Sequence, residues 1–438
     1  MGSRGRAAAD GGNVGPAVPA DERTAMDFLD IDLQLTDRER EIRAAAHHFA
    51  ADVLRPASVA LDKLTPDQVI ARDSLYWKVF RQAYQMGFHS QMLPVELGGQ
   101  GLTARERYLA AEEIGWGSAD FAIGLGVAGF PFAFAAMSGN QELIDAYVKP
   151  FVGDTEARMV GCWAVTEPDH GSDNILIGTP EYADPKIQPQ VRARRNGDEW
   201  IISGQKSSWV SNGTVATHAI TFLSLDPSRG MAGGGIAFVP LDLPGVSKGR
   251  PLDKLGQRAL NQGEIFFDNV HLPRSHMLVE SDSYEMIADG ILAGANASMG
   301  ATFTGLARAA FEEALAYTKV RIQGGKPLCE HQLVQAKLFE MFTKVEAARA
   351  LSRAAYVYNA QTMPPRTEYS IAAKVFCTQA AYEVASAAVQ LHGGYGLSKD
   401  YLVEKLFRDA RAALIEDGTN EVLGLAAARM LTARYGSA

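Results

Sequence analysis

Apolar residues recur at helical spacing from about Leu35 to Phe151, most plainly in REREIRAAAHHFAADVL and ARERYLAAEEIGW, and that period predicts amphipathic helices. Thr36 and Thr103 stand where N-caps belong. MLPVELGGQGL, Met92 to Leu102, interrupts the pattern with Pro94 and three glycines and reads as a tight loop between helices. From about Glu156 to Leu278 the period changes. VRARRNGDEWIISGQKSSWV, HAITFLSL, GGIAFVPL and GEIFFDNVHLP are short alternating or β-branched runs separated by Gly, Asn, Asp and Pro, the pattern of antiparallel strands in a small barrel or sandwich. Helical period returns after Asp282 in long amphipathic segments that suggest a bundle. The expected fold is therefore multidomain α+β: a helical domain over 35–155, a β domain over 156–280 and a helical bundle over 281–438, behind a disordered tail of residues 1–34.

Bulk properties narrow the function. A chain of 438 residues with 47% apolar content can bury the cores of two or three domains. Its 42 basic against 51 acidic residues give a net charge of −9, and the basic residues form no runs, which disfavours nucleic acid. Cys162, Cys329 and Cys377 lie far apart without CxxC spacing, so neither a disulfide framework nor a cysteine-rich metal site is expected, and a reducing cytoplasm fits. No apolar run is expected to reach the span of a bilayer helix, and the first residues lack the hydrophobic centre of a signal peptide.

The candidate chemistry is concentrated in a few segments. FRDARAALIEDGTNEV, Phe407 to Val422, is a helix pattern that stops at Glu416 and Asp417 before a Gly-Thr turn. A carboxylate at such a junction can face a pocket and serve as a base; the plain alternative is a solvated helix end with Gly418 as its cap. CWAVTEPDHGSDN, Cys162 to Asn174, is a strand-like stretch ending in a polar loop that offers hydroxyls and N–H groups, and His170 there reads as a loop hydrogen-bonder. SGQKSSWVSNG places Trp209 two residues before Ser211, hence on one face of a strand, as an aromatic wall for a flat heterocycle or as a buried core Trp. LHGGYG, Leu391 to Gly396, has paired glycines that let backbone approach a phosphate or simply end a helix. Arg321 and Gln332 could contact a phosphate and supply an amide. GLGVAG, Gly124 to Gly129, fits the dinucleotide fingerprint, but no strand precedes it, so it reads as small-residue helix packing.

Taken in order, AVTEPDHGSD, ISGQKSSWVSNG, KLGQRALNQGEIFFDNVHLP, RIQGGKPLCEHQ, AVQLHGGYGLSKDYLVEKLFRDAR and EDGTNEV resemble the acyl-CoA dehydrogenase family of flavoproteins from about Leu35 onward. The resemblance implies a C-terminal four-helix bundle, one FAD per subunit, and a homotetramer or homodimer. It also implies α,β-dehydrogenation of an acyl thioester, on coenzyme A or a carrier protein, with electrons passed to an electron-transferring flavoprotein. By the same resemblance Trp163, Val165, Thr166, Gly171, Ser172, Trp209 and Ser211 would line the flavin and its substrate channel, with Thr419 near the flavin. Arg321 and Gln332 would reach the FAD of an adjacent subunit, and Gln390, Gly393 and Gly394 its pyrophosphate side.

The chain departs from the family at the base. Relatives usually place Glu before Gly-Thr or Gly-Ser; here Asp417 holds that register and Glu416 precedes it, so Asp417 is expected to be the base and Glu416 the alternative. The second base position of some relatives falls near Ala295, the usual Arg beside it is Asn296, and a usual Phe is Gly324. Aspartate bases occur in relatives acting on cyclic acyl-CoAs and in the nitroalkane oxidase branch. A flavin oxidase or monooxygenase, and a flavin-binding protein without turnover, are the other readings.

Overall fold

The computed structural model describes Ile31 and residues 34–435, so the N-terminal tail lies almost wholly outside the described residues. Helices from Asp37 to Val152 come first, strands from Gly161 to Val279 follow, and helices from Ser281 to Tyr435 form the last described part. Both threonine caps form. Thr36 Oγ1 accepts from Glu39 N at 3.2 Å while Thr36 N donates to Glu39 Oε2 at 2.8 Å, and Thr103 and Glu106 repeat the exchange at 3.2 and 2.7 Å. Each box satisfies two amide groups that a helix start would otherwise leave open.

The apolar stretch Ala119–Met137 corrects one expectation, since it is long and apolar enough by composition to cross a bilayer. It folds as two helices, Ala119–Ala128 and Phe130–Met137, with Phe121, Ala128 and Phe132 fully buried in the helical core. GLGVAG lies within it, as helix packing.

In the middle domain β1 (Gly161–Ala164), β2 (Arg192–Asn196), β3 (Glu199–Lys206), β4 (His218–Ser224), β5 (Gly234–Pro240), β6 (Val246–Lys248), β7 (Ile265–Pro273) and β8 (Met277–Val279) form one sheet. The order is β6-β7-β3-β2-β4-β5-β8, with β1 attached to β4. The sheet is mixed, because β1 runs parallel to β4, from Gly161 opposite His218 to Ala164 opposite Thr221, and β2 meets β4 in parallel at Arg192 and Ser224. Period-two patterning fixes which face a residue takes and says nothing of its neighbour's direction. β1 returns to β4 only after β2 and β3, and such a long connection permits parallel pairing where a hairpin does not.

One apolar core joins the two helical parts, with Phe80, Phe121, Phe303, Ala307 and Val384 in a single cluster. The Ala104–Gly117 and Ser281–Val320 helices touch backbone to backbone there. A Cβ on Gly305 would lie 2.1 Å from the Glu112 carbonyl oxygen, and one on Gly115 2.2 Å from that of Thr302. Gly305→Ala is therefore expected to lower stability by about 1–3 kcal/mol in urea unfolding, because the helices must separate. Gly424→Ala, on a helix face with open space, should be neutral or stabilise by less than about 1 kcal/mol.

Polar ties lock the domains together around one loop. Between β6 and β7, Ala259 N donates to Asp120 Oδ2 at 3.1 Å, and Lys405 Nζ reaches the same oxygen at 3.2 Å and Asp409 Oδ2 at 2.6 Å. Arg408 forks onto Asp62 at 3.0 and 2.8 Å, while Arg258 donates to the Asp62 and Leu64 carbonyls. The loop that carries Lys254 and Gln257 is thereby fixed against the helix that leads to Glu416 and Asp417.

Candidate active site

The helix Leu402–Ala413 ends in a turn through residues 414–417, and the helix Asn420–Tyr435 begins directly after it. Ile415 N and Glu416 N donate back to the Ala412 carbonyl, and Asn420 N donates to Leu414 O at 3.0 Å. Asp417 takes φ +51° and Gly418 φ +96°. A left-handed aspartate costs roughly 1–2 kcal/mol, which the two flanking helices must over-determine. Gly418 is required twice over: by its φ, and because a Cβ there would lie 2.5 Å from Ile175 Cδ1.

Ile175 belongs to the loop that leaves β1, and that loop reaches the turn directly. Thr419 N donates to Ser172 Oγ at 3.0 Å. The loop is built on a buried ion pair: Lys206 Nζ meets Glu167 Oε1 at 2.7 Å and the Val165 carbonyl at 2.8 Å, and Val191 N donates to Glu167 at 3.1 Å. Ser207 N donates to the Thr166 carbonyl at 2.9 Å, and Ser207 Oγ to Thr166 Oγ1 at 2.8 Å. His170 Nδ1 lies 2.6 Å from Asp173 Oδ2, the loop-bracing role its position suggested.

Glu416 and Asp417 are half-buried, unlike the solvated pair of a plain helix end, although Gly418 does take a left-handed φ past the helix. Burial pushes the Asp417 carboxyl up to about 6, against the opposing pull of Lys374. Burial and the neighbouring Asp417 charge push Glu416 higher still, although Lys254, Lys374 and a hydrogen bond from Gln257 oppose the rise. The two adjacent carboxyls thus differ in proton affinity, with Asp417 the more acidic. Lys254 Nζ also donates to Leu260 O and Gln262 Oε1, each at 2.8 Å.

Trp209 and Ser211 correct another expectation. β3 ends at Lys206, and the chain then turns, so the two residues do not share a strand face. The turn is set by Asn212, buried at φ +63°, whose Nδ2 donates to the Gly124 and Gly161 carbonyls at 2.8 and 3.1 Å. Gln262 Nε2 reaches Trp209 O at 3.2 Å and Ser211 Oγ at 3.4 Å. Trp209 is 58% exposed, which rules out the core-Trp reading. Trp163, half-buried in β1, packs edge-on against Phe130 at 5.6 Å, and its Nε1 is shielded from solvent with no hydrogen-bond partner among the described residues. Val165 packs against the same apolar cluster, and Gly171 leaves open space where a Cβ would stand.

The remaining residues gather elsewhere. Arg321 precedes a hairpin of Ile322–Gln323 with Lys326–Pro327, and its guanidinium lies 5.4 Å from the ring of Tyr395. Tyr395 belongs to the short helix Gly393–Leu397 that holds Gly393, at φ +60°, and Gly394; a Cβ on either meets nothing within 4 Å. Gln332 and Gln390 are exposed. Gly324 turns the hairpin at φ +58°, a conformation poorly suited to Phe. Lys374 and Gln390 lie on the one helix Thr367–His392, 16 residues apart, which places this second cluster roughly 24 Å along the axis from the base turn.

Residues that sequence reading missed are Lys206, Glu167, Lys254, Gln257, Lys374 and Asn420. A signal existed for Lys374: it is a lone charge in the otherwise apolar face of SIAAKVFC. Asn296 is fully buried, donates from Nδ2 to Leu292 O at 3.0 Å, and sits beside the buried Ala295.

Family models described as the acyl-CoA dehydrogenase N-terminal, middle and C-terminal domains match residues 36–154, 162–270 and 287–432. A 3-(aryl)acrylate reductase of Clostridium sporogenes is 31% identical over 397 residues, 88% of this chain and 96% of the relative. The mitochondrial short-chain specific acyl-CoA dehydrogenase of Rattus norvegicus is 29% identical over 431 residues, 98% of each chain. A glutaryl-CoA dehydrogenase from Mycobacterium smegmatis, solved in complex with FADH2, is 25% identical with a TM-score of 0.76, covering 92% of this chain and 97% of that one.

Proposed function

The chain belongs to the acyl-CoA dehydrogenase family, oxidoreductases acting on CH–CH groups, and we propose that it uses FAD to dehydrogenate an acyl thioester with Asp417 as the base. The observation that carries the assignment of the base is a half-buried carboxyl, raised to about 6, on a turn joined to the β-domain loop through Thr419 and Ser172.

The residues present fit a flavin. Trp163 offers a shielded indole N–H, Trp209 an exposed aromatic face, and Gly171, Gly393 and Gly394 open backbone. When bound, FAD would accept the β-hydride; alignment and the proton belong to the protein. Asp417 takes the α-proton of the thioester, a weak acid that yields only while its carbonyl is polarised by hydrogen-bond donors. The loop from Val165 to Ser172 and the turn at Trp209 would hold the ring, with Lys206 and Glu167 bracing the loop from beneath. One chain carries its two clusters roughly 24 Å apart along a helix, so Arg321, Gln332, Gln390, Gly393 and Gly394 suit a cofactor shared with a second copy in a homodimer or homotetramer. An electron-transferring flavoprotein is the proposed acceptor.

The test is anaerobic reduction of the purified flavoprotein by a panel of acyl thioesters. The expected result is bleaching whose rate falls as pH drops below about 6, because the base must be ionised and its folded-state affinity lies there. A rate that instead rises toward acid, or a panel that leaves the flavin oxidised, rejects the reading.

A further inference from the structure

Lys374 is a charge where packing alone would place none. It sits mid-helix with no exposed surface, between Ala373 and Val375. Its Nζ donates to the Gly418 carbonyl and to Asn420 Oδ1, both at 2.8 Å. Those acceptors bracket the turn: Gly418 follows the base, and Asn420 opens the next helix. Asn420 is held in its turn by Thr378, one helical turn beyond Lys374, with Nδ2 donating to Thr378 Oγ1 at 3.0 Å. A buried ammonium costs several kcal/mol of desolvation unless hydrogen bonds and a counter-charge offset it. A methionine of similar length would fill the same space without that cost, so a requirement beyond packing is indicated.

We propose that Lys374 is the positioning residue of the base: its ammonium, donating to the Gly418 carbonyl and to Asn420 Oδ1, fixes the left-handed turn that carries Asp417 and sets a buried positive charge against that carboxylate. The inference rests on Asp417 being the base. The surrounding charges agree with it. Facing Lys374 are the carboxyl groups of Asp417 and Glu416 on the turn and of Glu421 on the following helix. From the β6–β7 loop Lys254 and Gln257 act on Glu416, and from the loop after β1 the hydroxyl of Ser172 meets Thr419 N. For Asp417 the opposing cation is Lys374. Burial pulls the Lys374 ammonium down to about 8, with the Asp417 carboxylate the first of the acidic groups resisting, so it remains protonated where Asp417 is an anion. Hydrogen bonding and charge thus come from one side chain, while the loop cation Lys254 serves the other carboxyl.

The experiment compares Lys374→Gln, Lys374→Arg and Asn420→Ala as FAD-loaded enzymes. It records the pH profile of anaerobic flavin reduction and, without substrate, the carboxyl 13C titration of Asp417, assigned by its loss in Asp417→Asn. Lys374→Gln keeps a donor and removes the charge. Its acid limb and its Asp417 titration should both move up by about one pH unit or more, the usual effect of losing an adjacent opposite charge. Lys374→Arg should restore the limb. Asn420→Ala loosens the turn with the charge retained, so it should lower the plateau rate at least about tenfold without moving the limb, as misplacement of a base does. An unmoved limb and titration in Lys374→Gln overturn the electrostatic role, and an unchanged plateau in Asn420→Ala overturns the positioning role even if Lys374→Gln fails to fold. Failure of the underlying reading looks different: Asp417→Asn would then reduce flavin at the wild-type rate.

Discussion

Asp417→Asn is expected to retain bound FAD and to lower the rate of flavin reduction by on the order of 10³-fold or more. The substitution is isosteric, so the turn at φ +51° and the link from Thr419 to Ser172 survive. What goes is proton acceptance, worth about 10²–10⁴ in rate for a positioned acid-base group, together with the alignment that an anion beside the α-carbon enforces. Glu416 cannot substitute. Burial and the adjacent negative charge hold it protonated further up the pH scale, and its hydrogen bond runs to Gln257. Glu416→Gln should therefore leave the plateau within about tenfold, since it replaces one neutral group by another. Stopped-flow reduction under nitrogen separates the two variants, with flavin absorbance confirming cofactor retention. Loss in Glu416→Gln with activity kept in Asp417→Asn would exchange their roles. Losses of equal size would mean that the pair acts as one titrating unit.

Much of this was legible in the chain because it is encoded locally. Helical and strand periods follow from which positions must face a core, and Thr36 and Thr103 cap because their hydroxyls reach amides within one turn. The unusual base was also local, since Ile415 to Thr419 can be read in register. Four things were not. The direction of β1 beside β4 depends on the length and path of the connection, which alternation does not carry. A spacing of two puts Trp209 and Ser211 on one strand face, but Asn212 donates to carbonyls from two other elements and turns the chain there. The apolar segment from Ala119 to Met137 has the composition of a span, and only the surrounding helices decide that it is core. The buried lysines belong with these. Lys206 and Lys374 are meaningful through partners that lie 39 and 44 residues away in sequence, and spacing does not reveal such pairs.

Lys206→Met is expected to be the most destabilising single change in the β domain. The side chains of Lys206 and Glu167 are each 1% exposed, and their 2.7 Å contact sits at the root of the loop from Val165 to Ser172. Removing the cation leaves a buried carboxylate that still accepts from Val191 N but has lost its charge partner, a situation that typically costs about 3–5 kcal/mol. It also frees the Val165 carbonyl, whose donor was the same ammonium. The urea midpoint should fall accordingly. FAD should dissociate more readily, because the loop that would face the ring loses its brace. A double variant, Lys206→Met with Glu167→Gln, discriminates a charge effect from lost packing. If the penalty is the stranded carboxylate, the neutral pair should recover at least half of the midpoint, since replacing a whole buried ion pair is far milder than removing one member. If the double variant is as weak as the single one, the hydrogen bonds to Val165, Val191 and Gln190 carry the stability instead, and the loop's geometry depends on them. In that case flavin retention should track the midpoint across all three proteins. A double variant that regains stability yet still releases FAD would place the ammonium's main work in shaping the cofactor loop.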